Sequence, residues 1–216
     1  MILLEFNTIN DYVNEAVKTI DSAASLTLEA QEAIKNQNTL LLKNLYSKIR
    51  MLQSELQNIT DNVYKDYLTK VHNKKWLYHK YLSKKANFKK DALVILIDAA
   101  DYEYIMKTYN KLISNNLLIY IATYLQKKFK EESLNFEISR YLTNKFIITL
   151  DETDLNQLEI IMSTISSLLY NTTLKSNSGI MIKPTFDYSI MQVKKDSSFH
   201  ESIDSLIKKI QETKKK

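Results

Sequence analysis

Arg140-Tyr141-Leu142-Thr143-Asn144-Lys145-Phe146 is the stretch on which the reading of this chain turns. It leads into the apolar run 146–150, which suits a buried strand, and its polar middle suits the turn of a hairpin. Working outward, residues 93–97 and 185–193 read as further strands. Residues 76–86, 102–129, 154–170 and 198–211 carry apolar positions at helical spacing. The order αβαββαβα predicts an α+β sandwich, a mixed and mainly antiparallel sheet flanked by helices. Pro184 falls at a strand start, where a missing N–H costs least.

Four separated blocks carry a resemblance. Asp66-Tyr67-Leu68-Thr69-Lys70-Val71-His72-Asn73-Lys74-Lys75 resembles D-x-L-T-G-L-x-N-R-R, and Leu93-Val94-Ile95-Leu96-Ile97-Asp98 resembles a buried strand ending in a metal-binding Asp. Tyr109 and Ser114-Asn115-Asn116-Leu117-Leu118-Ile119-Tyr120-Ile121-Ala122 fall in register with Y-G-H-x-x-G-D-x-x-L-x-x-x-A. Phe186-Asp187-Tyr188-Ser189-Ile190-Met191 resembles a v-t-v-S-i-G strand. Together with Arg140–Phe146, which stands where Arg-Tyr-Gly-Gly-(Asp/Glu)-Glu-Phe would stand, these blocks make residues 65–216 similar to a GGDEF, or diguanylate cyclase, domain with a degenerate signature. The resemblance implies the GGDEF, nucleotidyl cyclase-like fold.

The family joins two GTP molecules by attack of a 3′-hydroxyl on an α-phosphorus, chemistry that leans on metal ions held by carboxylate oxygen. Asp98 keeps the first acidic position, but Asn144 and Lys145 replace the acids of the signature, and Leu142 and Thr143 replace its glycines, ahead of Phe146. The glycines admit backbone geometry and close approach that side chains obstruct. The resemblance also places Met106 and Asn115 where the guanine edge is read by Asn and Asp. Methionine offers that edge no useful hydrogen bond, and Asn115 keeps a neutral one. Ser133 and Phe136 stand where the product-inhibition motif R-x-x-D would have its Arg and Asp. The chain ends inside the last helix, so the family's terminal phosphate-holding lysine is expected to be missing.

Each surviving group has a plainer reading. Asp98 suits a cap on a strand or helix as well as a remnant of a nucleotide site shared with Asn115. Arg140 and Tyr141 suit structural roles, and Lys145 a solvated hairpin. His72, His79 and His200 have no ligand spacing, and the chain has no cysteine, so no metal site and no cofactor are expected. Ser189 reads as a strand residue. The net charge is +5, but only Arg50 and Arg140 among 30 basic residues are arginine, which argues against a nucleic-acid face. No window reaches the apolar length of a membrane span, and the first residues lack a basic, apolar leader, so a cytoplasmic protein is expected.

The first 64 residues read differently. Leu42, Leu45, Ile49, Leu52, Leu56, Ile59 and Val63 recur at alternating steps of three and four, a coiled-coil seam running directly into Asp66. Upstream, Ile9, Val13, Ala16, Ile20, Ala23 and Ala24 form a second stripe, with Thr8 and Asp11 as a helix start and a bend expected within 26–39. The seam suits either a parallel dimer or a helical hairpin within one chain. The expectation is therefore a catalytically inactive GGDEF-like protein, homodimeric through residues 1–64. It would serve as a scaffold or regulator for an unidentified protein partner in signalling, motility or polar organisation, with recruitment to a membrane-associated or polar complex. The alternative is a non-catalytic nucleotide sensor for GTP or cyclic-di-GMP.

Overall fold

The computed structural model describes residues 2–36, 38–151, 154–175 and 179–214, with side chains from Val17 onward. It divides into two compact units, residues 1–64 and 65–216.

The first unit is a helical hairpin of α1 (Ile2–Lys35) and α2 (Thr39–Tyr64). Leu26, Ala33 and Leu45 are buried between the helices, with Ala30, Leu41, Leu42 and Leu52 packed around them. The expected bend within 26–39 is therefore narrower: α1 continues to Lys35 because Leu26, Ala30 and Ala33 keep helical spacing on the face that α2 covers. Asn38 Oδ1 accepts from Leu41 N at 3.0 Å and so caps α2. The outer stripe is also corrected, since Ile20, Ala23 and Ala24 are exposed and the covered face of α1 is carried by Thr19, Leu26 and Ala33. Thr8, Ile9, Asp11, Val13 and Ala16 lie outside the residues whose side chains are described. On α2, the seam is used unevenly: Leu45 is 2% exposed, whereas Ile49 and Leu56 stay 40% and 44% exposed, with Ile59 and Val63 half-buried.

The second unit is an α+β sandwich. Its elements are β1 (His72–Asn73), α3 (Lys74–Tyr81), β2 (Ala92–Asp98), α4 (Tyr102–Thr108), α5 (Lys111–Glu131), β3 (Phe136–Leu142), β4 (Lys145–Leu150), α6 (Leu155–Tyr170), the small pair β5 (Leu174–Lys175) and β6 (Met181–Ile182), β7 (Asp187–Val193) and α7 (Phe199–Lys214). The main sheet has the order β1-β3-β4-β2-β7 and is antiparallel except for β1 against β3. Strand β2 lies at its heart between β4 and β7. Leu93, Ile95 and Ile97 enter the core under α5 and α6, while Val94 and Leu96 enter the core under α3 and α7. Burial on both faces is why this segment reads as an unbroken apolar run.

Two helices end earlier than their periodicity suggests. The segment 102–129 is broken between α4 and α5, because Asn110 turns its side chain onto Ile113 N at 2.9 Å and starts a new helix. The segment 76–86 stops at Tyr81, and Ser83 to Ala86 form a turn in which Ala86 takes a left-handed φ of 57°.

The unequal burial of the α2 seam sets a test. Leu45→Ala should lower the unfolding free energy of the helical hairpin by about 2–5 kcal/mol, and Ile49→Ala by less than about 1 kcal/mol, in urea titrations followed by circular dichroism.

Candidate functional site

The β3–β4 hairpin carries Leu142, Thr143, Asn144 and Lys145, with an irregular register between Arg140 and Leu142. Its position is held from below by Arg140. That guanidinium donates to Thr143 O at 2.7 Å and 3.2 Å, and reaches the Asp66 carboxylate at 3.1 Å and 3.3 Å. Asp66 is also the pivot of its own turn, accepting from Thr69 N at 2.8 Å and Thr69 Oγ1 at 2.7 Å. Asn73 caps α3 by accepting from Trp76 N, and its amide donates to Lys65 O. The motif residues Asp66, Thr69, Asn73 and Arg140 thus form one brace between the start of the domain and its hairpin. Lys70 takes φ 60° where the family pattern has glycine, a left-handed conformation that glycine adopts without strain.

Above this brace lies a charged cluster built by strand register. Asp98 is directly opposite Lys145 of β4 and Asp187 of β7, so the three side chains share one face at the end of the sheet. Lys145 Nζ stands 3.0 Å from Asp98 Oδ1, and Asn144 Nδ2 donates to the same oxygen at 2.7 Å. From the last turn of α7, Lys214 Nζ reaches Asp187 Oδ2 at 2.8 Å and Asp98 Oδ2 at 3.6 Å. Both Asp98 oxygens therefore face cationic or amide nitrogen, and the Asp98 and Lys145 side chains are only 13% and 19% exposed. Burial works to lower the Lys214 pKa, but the hydrogen bond to Asp187 and the charges of Asp187 and Asp98 outweigh it and hold the ammonium above the ordinary lysine range.

Two expectations change here. Lys145 is not a solvated hairpin lysine, because register delivers it to Asp98. The last helix does supply a lysine to this end of the sheet, since α7 runs to Lys214. In the sequence Lys214 reads as part of a solvated basic tail, Lys214-Lys215-Lys216, whereas the fold sets it on Asp187, a residue the sequence did not single out as a site. Asp187 lay within a recognised strand block, but only pairing with β2 shows that it stands beside Asp98.

The remaining positions are dispersed. Asn115 lines an open cleft of about 480 Å³ with Lys74, Lys111, Arg140, Leu142 and Thr143, whereas Asp98 and Lys145 do not line it. Met106 packs against the main core instead of facing this cleft as a base reader would. Phe146 is fully buried, Phe136 packs on Phe129 with ring centroids 5.1 Å apart, and Tyr141 meets Phe199 at 5.6 Å. His72 stacks on Trp76 at 3.7 Å and meets Glu137 at 3.1 Å. Burial alone would raise the Glu137 pKa, but hydrogen bonds from His72 and Lys80 bring it down to about 2. Ser189 Oγ donates to Leu206 O from within β7. No group of three or more His, Cys, Asp or Glu suited to a metal ion occurs among the described residues.

The pattern of opening turn, buried strand, hairpin and final strand is matched from residue 63 to 216 by the family model of the diguanylate cyclase GGDEF domain. The chain belongs to the GGDEF domain family. Its fold is similar to the coiled coil and GGDEF domain of DgcB from Caulobacter crescentus in complex with c-di-GMP. That match has 14% identity and a TM-score of 0.64, and covers 85% of this chain and 95% of that one. The diguanylate cyclase SiaD from Pseudomonas aeruginosa, solved with its activator SiaC, matches at 10% identity over 99% of this chain and 82% of its own, with a TM-score of 0.63. The FimX GGDEF domain from the same organism matches at 14% identity and TM-score 0.54, over 66% of this chain and 87% of its own. At such identities the likeness is one of fold. No curated protein matches the chain.

The cluster in this GGDEF domain makes a sharp prediction about stability. In a pocket of like-charged metal ligands, removing a carboxylate relieves repulsion; here it strands Lys145 and part of the Lys214 interaction. Asp98→Ala should lower the unfolding free energy by about 1–3 kcal/mol, measured by chemical denaturation, and Asp98→Asn should recover part of the loss through its hydrogen bonds.

Proposed function

We propose that this GGDEF domain protein works without catalysis, as an interaction scaffold or regulator in bacterial signalling, motility or polar organisation. The observation that carries the reading is the neutralised Asp98. Magnesium seeks several oxygen ligands, most effectively carboxylates. The one carboxylate at the expected first metal position already has Lys145 at 3.0 Å on one oxygen and Lys214 at 3.6 Å on the other. A divalent cation there would displace Lys145 and sit beside two ammoniums. The position of the second ligand is the amide of Asn144, which spends its N–H on Asp98. The residues present do not fit a magnesium pair, so no step of phosphoryl transfer is routed through them. Leu142 and Thr143, both exposed at the hairpin tip, fill space that glycine would leave to a nucleotide.

Interaction through the N-terminal helices supplies the positive half of the reading. Ile49 and Leu56 on α2, and Val17, Ile20 and Leu28 on α1, remain open after the two helices have packed on each other. A second copy of the chain is the simplest cover, and we assign Leu42, Leu45, Ile49, Leu52, Leu56, Ile59 and Val63 to a helical dimer core. Leu42, Leu45 and Leu52 serve the fold of each hairpin, while Ile49 and Leu56 serve association. The solved structures of similar fold include one with a coiled coil and one in complex with an activator protein, which supports association as a way for this fold to act. No helix among the described residues is long and apolar enough to cross a membrane, and we place the protein in the cytoplasm, as a member of larger complexes.

The cleft of about 480 Å³ favours a second reading, a nucleotide sensor without chemistry, because Lys74, Lys111 and Asn115 still line it. Against tight binding, Met106 is half-buried against the core and offers a guanine edge no useful hydrogen bond. Purified protein incubated with GTP and magnesium should yield no cyclic-di-GMP by chromatography, and calorimetry with GTP or cyclic-di-GMP should show no binding tighter than about 100 µM. Product above a no-protein control would overturn the inactive reading, whereas a low-micromolar isotherm without product would establish the sensor. Light scattering should give twice the 25.3 kDa of one chain, reduced to one chain by Ile49→Glu with Leu56→Glu at unchanged helicity.

A further inference from the structure

We infer that the end of the sheet opposite the β3–β4 hairpin is an electrostatic docking face for an anionic phospholipid surface. The charge of this chain is unevenly placed. Residues 80–91 hold five lysines against the single acid Asp91, and residues 194–198 hold two lysines against Asp196. Those two segments carry +5, as much as the whole chain, so all remaining residues together balance to zero. The two stretches are far apart in sequence.

The fold brings these stretches together and makes them rigid. Ala92 pairs with Val193, which sets the residues before β2 beside those after β7. Phe88 N donates to Ser197 O at 3.0 Å, Asp196 N donates to Phe88 O at 2.8 Å, and Lys195 N donates to Asp91 Oδ1 at 2.8 Å. The Phe88 ring is buried against Phe199, anchoring the loop from beneath. A turn closed by Ala86 N on Ser83 O pushes Lys84 and Lys85 outward. Some of the lysines are occupied: Lys90 pairs with Asp151, Lys194 with Asp91, and Lys80 with Glu137. Lys84, Lys85 and Lys195 are exposed and their ammoniums pair with no acid among the described residues. Strand β2 separates this end from Asp98 by seven residues, about 20 Å, so the face is distinct from the cluster at the hairpin.

The chemistry of the face narrows its partner. Every cation on it is an ammonium, a hydrated point charge without the forked geometry that grips a base edge or a single phosphate. In 80–91 and 194–198 the aromatic residues Tyr81 and Phe88 are both buried, so nothing is offered for base stacking. The same segments expose no large apolar side chain that would form the core of a protein interface. What remains is attraction by field alone, which is how polybasic surfaces hold to a sheet of anionic headgroups.

The test uses the 216-residue chain and sedimentation with vesicles of phosphatidylcholine, alone or mixed with phosphatidylglycerol. Binding should occur only to the anionic vesicles and should fall steeply between about 50 and about 200 mM salt. The Lys84→Glu, Lys85→Glu, Lys195→Glu triple variant should lose at least about tenfold in affinity, and the corresponding triple arginine variant should keep it. A control triple, Lys107→Glu, Lys175→Glu, Lys183→Glu, changes the net charge equally at exposed positions toward the Asp98 end of the sheet and should bind like the parent. Equal binding to neutral vesicles, or equal loss in both glutamate triples at unchanged melting temperature, would overturn the proposal. So would a labelled DNA duplex that binds more tightly than the anionic vesicles, an outcome that would assign the face to nucleic acid.

Discussion

Asp98 leaves the most buried strand of the molecule at a point where a carboxylate needs a cation. Strand β2 is covered on both faces, so the chain cannot turn Asp98 freely into water without unpairing β2 from β4 and β7. The register that stabilises the sheet sets Lys145 on one side of it and Asp187 on the other, and Lys214 bridges the two acids from α7. The end of the sheet is thereby closed electrostatically by groups of the protein itself. In a metal-dependent relative the same place would call for an ion from solution, since carboxylates gathered without cations repel one another.

Beneath that cluster, Arg140 and Asp66 explain why the flanks of the signature persist around a different centre. Both side chains are nearly buried, at 12% and 13% exposure, and they tie the hairpin to the first turn of the domain. Loss of either would leave the other's charge uncompensated in poorly solvated surroundings, which is more damaging than never having had the pair. Asp66, Thr69, Asn73 and Arg140 therefore answer to folding. The side chains of Leu142 and Thr143 are exposed at a tip that folding constrains less, whereas Asn144 is held by Asp98. Lys70, held at a positive φ, shows that the backbone shape of the opening turn is kept even where its glycine is not.

Much of the second unit was readable because its signals are local. The uninterrupted apolar run of β2, the periodicity of α6 and α7, and the alternation toward β7 each reflect one element facing a core. Errors arose where a side chain overrode periodicity. Asn110 divides what reads as one long helix into α4 and α5, and Asn38 caps α2 after an α1 that runs longer than its thin apolar content suggests. In the first unit, the even seam from Leu42 to Val63 conceals unequal roles, because α1 covers Leu45 while Ile49 and Leu56 stay largely open.

From the sequence alone came the family resemblance, the α+β class, the division near residue 65, and the replacement of acids and glycines by Leu142, Thr143, Asn144 and Lys145. These are matters of residue type and order along the chain, which local periodicity and motif spacing report directly. Tertiary structure alone decided that Lys145, Lys214 and Asp187 converge on Asp98, that Met106 packs against the core, and that lysines from 80–91 and 194–198 share one end of the sheet. Strand register and helix packing bring together residues as far apart as 98 and 214. No local pattern encodes that proximity, because it follows from which strands pair and from where the last turn of α7 comes to rest.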